Sequence, residues 1–284
     1  MKMEEKLYDY MDWAEIEAVV YSEENHPRDI LGPRVTEDGI LIQAFFPGAT
    51  RAAVHTIRDG KQTEMVCEDE AGFFAVLLPG KKIPSYTLIY WDGDGNQMEH
   101  YDPYAYPMQF TEQEQKQFEN GICYSIYEKL GAHPVKIDGV SGVYFAVWAP
   151  NALRVSVVGD FNHWDGRRHQ MRRLWDSGIF EIFIPGVREG ENYKFELKLK
   201  GGLTYLKADP YAFGQQLRPD TASVVRNIDG FAWEDEAWIL AREKSCPEKE
   251  PMSVYEMYLG SFAKPEDGRR YYNYREFAPK VISY

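Results

Sequence analysis

Cysteine is scarce in this chain of 284 residues, which has only Cys67, Cys123 and Cys246, far apart in the sequence. An odd number of distant cysteines provides neither a disulfide framework nor a CxxC metal pair and is typical of a reducing compartment. Long apolar runs are also lacking, and the N terminus MKMEEKLYDY has charges where a signal peptide has its apolar region. The sequence therefore predicts a cytoplasmic protein with no membrane partner.

Positively charged residues are fewer than negatively charged ones. The sequence has 32 Lys and Arg and 45 Asp and Glu, which gives a net charge of -13. Such a surface repels polyphosphate, which argues against nucleic acid as a partner but leaves a neutral polysaccharide possible. No glycine-rich phosphate loop occurs, and Ser141 in GVSGV lacks the second glycine of a nucleophile elbow. His163 and His169 have no third ligand at a suitable spacing. We therefore predict no cofactor and no metal.

Aromatic residues, in contrast, are frequent at 15%, and three motifs occur twice in the same order. GILIQAFFPGATRAAV from Gly39 matches GVYFAVWAPNALRVSV from Gly142, and GFFAVLLPG matches GIFEIFIPG. DPYAY from Asp102 matches DPYAF from Asp209. The copies lie about 105 positions apart each time, which indicates two repeated units.

Each repeated unit has short β-branched or aromatic segments bounded by Gly, Pro, Asn and Asp, a pattern typical of an antiparallel sandwich. WDGDGN from Trp91 predicts a hairpin turn, DWAEIEAVV a short leading helix, and TEQEQKQFENG a helix between the modules. We expect four segments: a sandwich with the leading helix at 1–107, a second sandwich at 108–230, a connector at 231–250, and a different element at 251–284.

The motifs VWAPNALRVSVVGDFNHWDGRRHQM, GIFEIFIPG, KADPYAFGQQLRPDTAS and PMSVYEMYLGSF together resemble the N-terminal part of glycogen (1,4-α-glucan) branching enzymes. The resemblance implies a mainly β fold, with two tandem immunoglobulin-like β-sandwiches followed by the first strand and helix of an incomplete (β/α)8 barrel. It also implies that the second sandwich is a glycogen-binding-type module with α-glucan as partner. In that family an α-1,4-glucan segment is cut and transferred to a 6-hydroxyl by a retaining mechanism.

A (β/α)8 barrel needs about 250 residues, far more than the segment 251–284 supplies. The family's catalytic carboxylates lie on later strands, so the resemblance assigns no catalytic residue here. We therefore expect a truncated part of a branching enzyme that lacks branching activity by itself and that packs against a catalytic barrel in the longer protein. Two alternatives remain open: a stand-alone α-glucan-binding module, and a scaffold that docks on a separate catalytic chain.

The resemblance also points to glucan-binding residues. In the related glycogen-binding module of the AMP-activated kinase β subunit, a tryptophan and a lysine contact sugar, and Trp164 and Lys194 match them. The second platform tryptophan of that module falls near Leu206, beside the aromatic Tyr205. Two interpretations of Trp164 remain open: a sugar platform, or an aromatic that packs against a neighbouring domain.

Four residues are predicted to have structural or inter-domain roles. Trp148 in AVWAP belongs to an alternating strand, which favours the core or a domain interface. Arg167, in the Arg167-Arg168 pair, is expected to link to neighbouring carboxylates. Asp209 and Tyr211 belong to the DPY sequence present in both units, which indicates a shared architectural turn.

Overall fold

A computed structural model describes residues 6–284, which divide into two units. The first unit ends at Gly230 and contains two sandwiches; the second extends from Phe231 to Tyr284. Among residues 6–284, no helix combines the length and the apolar character needed to cross a bilayer.

The first sandwich follows helix α1 (Trp13–Val20), whose N-cap Asp12 accepts hydrogen bonds from two backbone N–H groups of the first turn. It consists of two four-stranded antiparallel sheets, with the strand orders β1-β2-β6-β5 and β4-β3-β7-β8. The predicted WDGDGN turn joins the last two strands. The strands are β1 (Gly32–Val35), β2 (Ile40–Phe45), β3 (Arg51–Thr56), β4 (Lys61–Glu64), β5 (Val66–Asp69), β6 (Phe73–Leu78), β7 (Tyr86–Trp91) and β8 (Gln97–His100).

The second sandwich follows helix α2 (Glu112–Glu119), which begins with the capping box of Thr111 and Glu114. One sheet has the order β12-β13-β10-β9; the other has the order β11-β14-β17-β16, with β15 also paired to β14. The strands are β9 (Gly131–Ile137), β10 (Val140–Trp148), β11 (Ala152–Gly159), β12 (Arg172–Leu174), β13 (Ile179–Pro185), β14 (Asn192–Leu199), β15 (Thr204–Lys207), β16 (Gly214–Gln215) and β17 (Ser223–Val224). The predicted mainly β fold with tandem sandwiches is confirmed.

Several central strands are buried on both faces, which the simple alternation rule does not anticipate. All six residues of β2 and of β6 are buried. Ile40 and Ile42 face the core of the first sandwich, whereas Leu41 belongs to a cluster with Ile16 of α1 and Phe145 of the second sandwich. The outer face of β2 therefore packs into one apolar cluster with the second sandwich, while the first sandwich keeps a separate core between its own two sheets.

The sequence repeat is also a repeat of side-chain contacts. The Tyr86 hydroxyl donates to the Asp102 carboxylate at 2.6 Å, and the Tyr193 hydroxyl donates to Asp209 at 2.5 Å. In both copies the other carboxylate oxygen accepts the N–H of the tyrosine two residues later, Tyr104 or Tyr211. Each aspartate thus fixes the corner at which its sandwich ends.

Burial raises the pKa of Asp102 to about 6, although the Tyr86 and Tyr104 hydrogen bonds act in the opposite direction. A carboxyl whose pKa is higher in the folded state stabilises the fold most when protonated, so its contribution falls as pH rises from about 4 to about 6. Compared with Asp102→Asn, wild type should lose up to about 3 kcal/mol of relative stability between pH 4 and pH 7. Urea unfolding of both proteins across this range measures the difference; a difference that stays constant above pH 5 would contradict the raised pKa.

The second unit is helical and carries no strand within residues 231–284. The predicted barrel strand is not formed: residues 251–258 have no regular structure, and the short helix α4 (Leu259–Phe262) follows. An isolated strand leaves its backbone N–H and C=O groups unpaired, and this unit offers no second strand to pair with them. A helix does form near the end of this segment, at Tyr274–Ile282. The helices of this unit are α3 (Glu236–Lys244), α4 and α5 (Tyr274–Ile282).

The remaining short elements are single turns of 3-10 helix that lead into or out of the strands and helices. Six lie within the described residues, at Tyr8–Tyr10, Pro27–Asp29, Pro103–Ala105, Ile126–Glu128, Asp160–Asn162 and Pro247–Lys249.

Candidate glucan-binding site

The loop between β11 and β12 carries Trp164 in an unusual backbone conformation. His163 and Trp164 are consecutive residues with φ values of 58° and 60°, the left-handed region that non-glycine residues seldom adopt. The buried Asn162 holds this bend, since its Oδ1 accepts from Gly159 N at 2.9 Å and its Nδ2 donates to Val157 O at 2.8 Å. Such strain persists where the surroundings impose it, and it is concentrated at functional sites.

The indole of Trp164 is 36% exposed and fixed in orientation. Its Nε1 donates to Asp160 Oδ1 at 2.9 Å, and Asp160 Oδ2 accepts from Asn192 Nδ2 at 2.9 Å. Asn192 begins β14, two residues before Lys194, so both side chains lie on the same face of the sheet. Lys194 Nζ donates to Thr221 Oγ1 at 2.7 Å. These five residues form a surface that we call the Trp164 ledge.

Gly166 brings the same loop close to the outer face of β14. A Cβ at this position would lie 2.0 Å from Glu196 Oε1. Glu196 is itself held by Arg154, whose guanidinium donates at 2.8 Å and also bonds to Ser22 O. A side chain at position 166 would therefore require the Glu196 carboxylate to shift, at the expense of its bond to Arg154.

Tyr205 lies on the other side of the sheet from Lys194. In the β14–β15 register Tyr205 pairs with Leu197, and Leu206 pairs with Glu196. Directly paired residues share a face, so Leu206, not Tyr205, is on the Lys194 side. The structure thus brings Trp164 and Lys194 onto one surface and separates Tyr205 from them, because alternation along β15 turns the aromatic ring away.

The residues predicted to be structural occupy varied environments. Trp148 is 52% exposed and lies outside the core, because it is the last residue of β10; its Nε1 donates to Ser177 O and its ring meets the edge of Phe118. The Arg167 guanidinium donates to the Asp165 carboxylate two residues earlier in the same loop. Asp209 and Tyr211 lie at the second corner described above.

Arg168, for which the sequence predicts only a carboxylate link, bridges the two sandwiches. Its guanidinium donates to the Tyr90 hydroxyl at 3.2 Å and to Pro47 O at 3.1 Å in the first sandwich. The sequence does not show that Arg168 and Arg167 have different roles, because the difference comes from the direction in which the loop points each side chain.

His169 is held as a neutral ring. Desolvation, followed by the nearby charge of Arg168, lowers its pKa to about 3. Its Nδ1 lies 2.8 Å from Asn162 Nδ2 and therefore acts as the acceptor. Within residues 6–284, no three His, Cys, Asp or Glu side chains are grouped to hold a metal ion.

The Trp164 ledge lies on the outer face of the second sandwich. Residues 129–212 match the family model of carbohydrate-binding module 48 (isoamylase N-terminal domain). Residues 12–104 match the model of the alpha-1,4-glucan branching enzyme GlgB N-terminal domain. The chain corresponds to the N-terminal part of 1,4-alpha-glucan branching enzymes.

Individual relatives agree with the family models. The 1,4-alpha-glucan branching enzyme GlgB of a Synechococcus strain is 42% identical over 287 residues, which cover 91% of this chain and 37% of the relative. The protein of the same name from Gloeobacter violaceus is 43% identical over 277 residues, covering 95% and 37%. The chain thus spans less than two-fifths of the length of these curated relatives.

Among solved structures, a pullulanase from Anoxybacillus sp. LM18-11 complexed with maltotetraose is 16% identical, with a TM-score of 0.31. The match covers 80% of this chain and 28% of that one. At this TM-score we draw nothing from the likeness.

Proposed function

We propose that the Trp164 ledge binds α-glucan and that this chain is the part of a 1,4-α-glucan branching enzyme that holds the polysaccharide. The observation that carries the proposal is a fixed, partly exposed indole on the same surface as Lys194. The matches to a carbohydrate-binding module and to branching enzymes support the choice of α-glucan as ligand.

The ledge has the two kinds of surface that a pyranose needs. A sugar ring presents C–H groups that pack on an aromatic plane and hydroxyls that need hydrogen-bond partners. The Trp164 ring supplies the plane, and Asp160 supplies acceptor oxygens beside it. Lys194 and Asn192 supply donors along the same face. A neutral polymer is not repelled by the net charge of -13.

The buried carboxylates of the described residues support holding rather than bond cleavage. Retaining glycoside chemistry uses two carboxyl groups about 5–5.5 Å apart that flank the sugar. Asp102, Glu181 and Asp209 are each buried and each occupied by hydrogen bonds to the protein's own groups. We place the transfer of glucan segments in the additional length of the relatives, in a catalytic barrel that would receive the chain held here.

Glycogen-gel affinity electrophoresis tests this proposal. An aromatic platform contributes about 1.5 kcal/mol, so Trp164→Ala should weaken the apparent Kd for glycogen about tenfold. Trp175→Ala is the matched control, because Trp175 is also exposed and also has a positive φ, but lies in the β12–β13 turn. Wild type and the control should be retarded equally. Migration of wild type without retardation, or equal weakening by both variants, would contradict glucan binding at the ledge.

A further inference from the structure

A cavity of about 270 Å³ lies between the two sandwiches of the first unit. Strands β7 and β8 and the Asp102 corner form one side of it. The β11–β12 loop and the turn after β13 form the other. The volume is near the lower end of the range for small-molecule sites, about 300–1,000 Å³, and suits a ligand of one ring.

The lining contains both apolar and polar residues, some buried and some exposed. Phe45, Ile184 and Val187 are buried lining residues, whereas His100 and His163 are exposed ones. Asp102 and Asn162 add buried polar atoms to the same lining, and a wall that mixes apolar and hydrogen-bonding groups suits the two surfaces of a pyranose ring.

Aromatic rings supply one wall of the cavity. Phe46 stacks on Tyr90 with centroids 4.4 Å apart, and His100 lies over Tyr90 at 5.8 Å. All three residues belong to the lining of the cavity and make this wall aromatic.

The charges around the cavity favour a neutral ligand over an ion. Arg168 is the permanent cation, and Asp165 lies 3.8 Å from its Nε. The acidic Asp102 is also in the lining. Desolvation, followed by the charge of Arg168, lowers the pKa of His169 to about 3, so this ring is neutral near pH 7.

We propose that this cavity binds the terminal glucosyl ring of an α-glucan, as a second sugar site separate from the Trp164 ledge. The inference rests on the proposed function for the identity of the sugar. A cavity that admits one ring cannot pass a continuous chain, so a polymer would enter it by an end. The β11–β12 loop contributes Trp164 to the ledge and contributes Phe161, His163 and Arg168 to the cavity. The proposed site for the end of a glucan and the proposed site for the side of a glucan therefore lie on opposite sides of this loop.

The test uses maltose and the full chain, in a Trp164→Ala background that removes the ledge. Binding is followed by ligand-observed NMR. His100→Trp fills the opening, and Met98→Trp is a second filling variant on the same face of β8. Gln97→Trp is the control, because its side chain alternates to the opposite face. We expect Trp164→Ala to bind maltose. Each filling variant that retains the wild-type thermal transition should weaken the Kd for maltose at least tenfold relative to Trp164→Ala. The control should change that Kd by less than twofold.

Absence of maltose binding in Trp164→Ala would overturn the inference, as would full binding in both filling variants. Tighter binding of glucose 1-phosphate than of methyl α-glucoside by more than tenfold would also overturn it, since that result would show an anion site. The difference in glycogen retardation between wild type and Trp164→Ala tests the ledge, whereas maltose binding by the filling variants in the Trp164→Ala background tests the cavity, so the two proposals fail in distinguishable ways.

Discussion

Glu181→Ala should lower the free energy of unfolding by about 3–5 kcal/mol. Glu181 lies on β13 with only 1% of its surface exposed. It accepts the Tyr144 hydroxyl at 2.8 Å and the Phe110 N–H at 3.2 Å, and it is ion-paired with Arg172. Removal of the carboxylate leaves the Arg172 guanidinium, the Tyr144 hydroxyl and the Phe110 N–H without this acceptor. Each buried donor that loses its acceptor lowers the free energy of unfolding.

Glu64→Ala is the matched control for this substitution. Glu64 pairs with Arg51 on the surface, where both side chains are more than half exposed. Exposed pairs of this kind contribute about 0–1 kcal/mol. Urea unfolding should therefore separate the two variants by at least about 2 kcal/mol. Equal losses in the two would show that Glu181 is not the centre of the network described here.

Gly72→Ala should be nearly as damaging, with a loss of about 3 kcal/mol or more from strain and steric overlap together. Gly72 has φ of +110°, and a Cβ there would lie 2.1 Å from the Phe46 carbonyl oxygen. The left-handed conformation alone costs about 1–2 kcal/mol for a residue with a Cβ. The clash adds to it because the opposing atom is backbone, and Phe46 N also donates to Gly72 O at 2.8 Å.

The control for Gly72→Ala is Gly139→Ala in the β9–β10 turn. Gly139 has φ of +83°, but a methyl group at this position would meet no atom within 4 Å beyond its immediate chain neighbours. The conformational cost is then present without the clash, so thermal unfolding should show a loss of about 1–2 kcal/mol. Gly178, the repeat partner of Gly72, approaches Pro150 in a similar manner. Similar losses for Gly72→Ala and Gly139→Ala would refute the close approach.

The repeat is accessible from sequence because it consists of local motifs. Gly72 and Gly178 align through their flanking residues, and the structure gives both a positive φ. The hydrogen bond of Tyr86 to Asp102 recurs as Tyr193 to Asp209 with the same separation of 16 positions, but the contact itself depends on how each sandwich closes and is not given by a local motif. The burial of both faces of β2 is also not predictable from the sequence, because alternation rules assume that one face of a strand is exposed to solvent.

The candidate site is predictable only in part, for a similar reason. Trp164 and Lys194 follow from a resemblance, and the structure places them on one surface. Tyr205 is suggested by its proximity in sequence to Leu206, but its side of the sheet depends on strand register, and a shift of one residue reverses the face. The cavity beside Arg168 depends on how two sandwiches pack, which no local motif records.

The NMR signals of the tryptophan indole groups test most directly where the glucan binds. Nε1–H resonances of 15N-labelled protein are followed during titration with maltoheptaose, with the Trp164 signal assigned by its loss in Trp164→Phe. We expect the Trp164 signal to move and the signals of Trp148 and Trp175 to stay in place. Movement of Trp148 or Trp175 with an unchanged Trp164 signal would contradict the account.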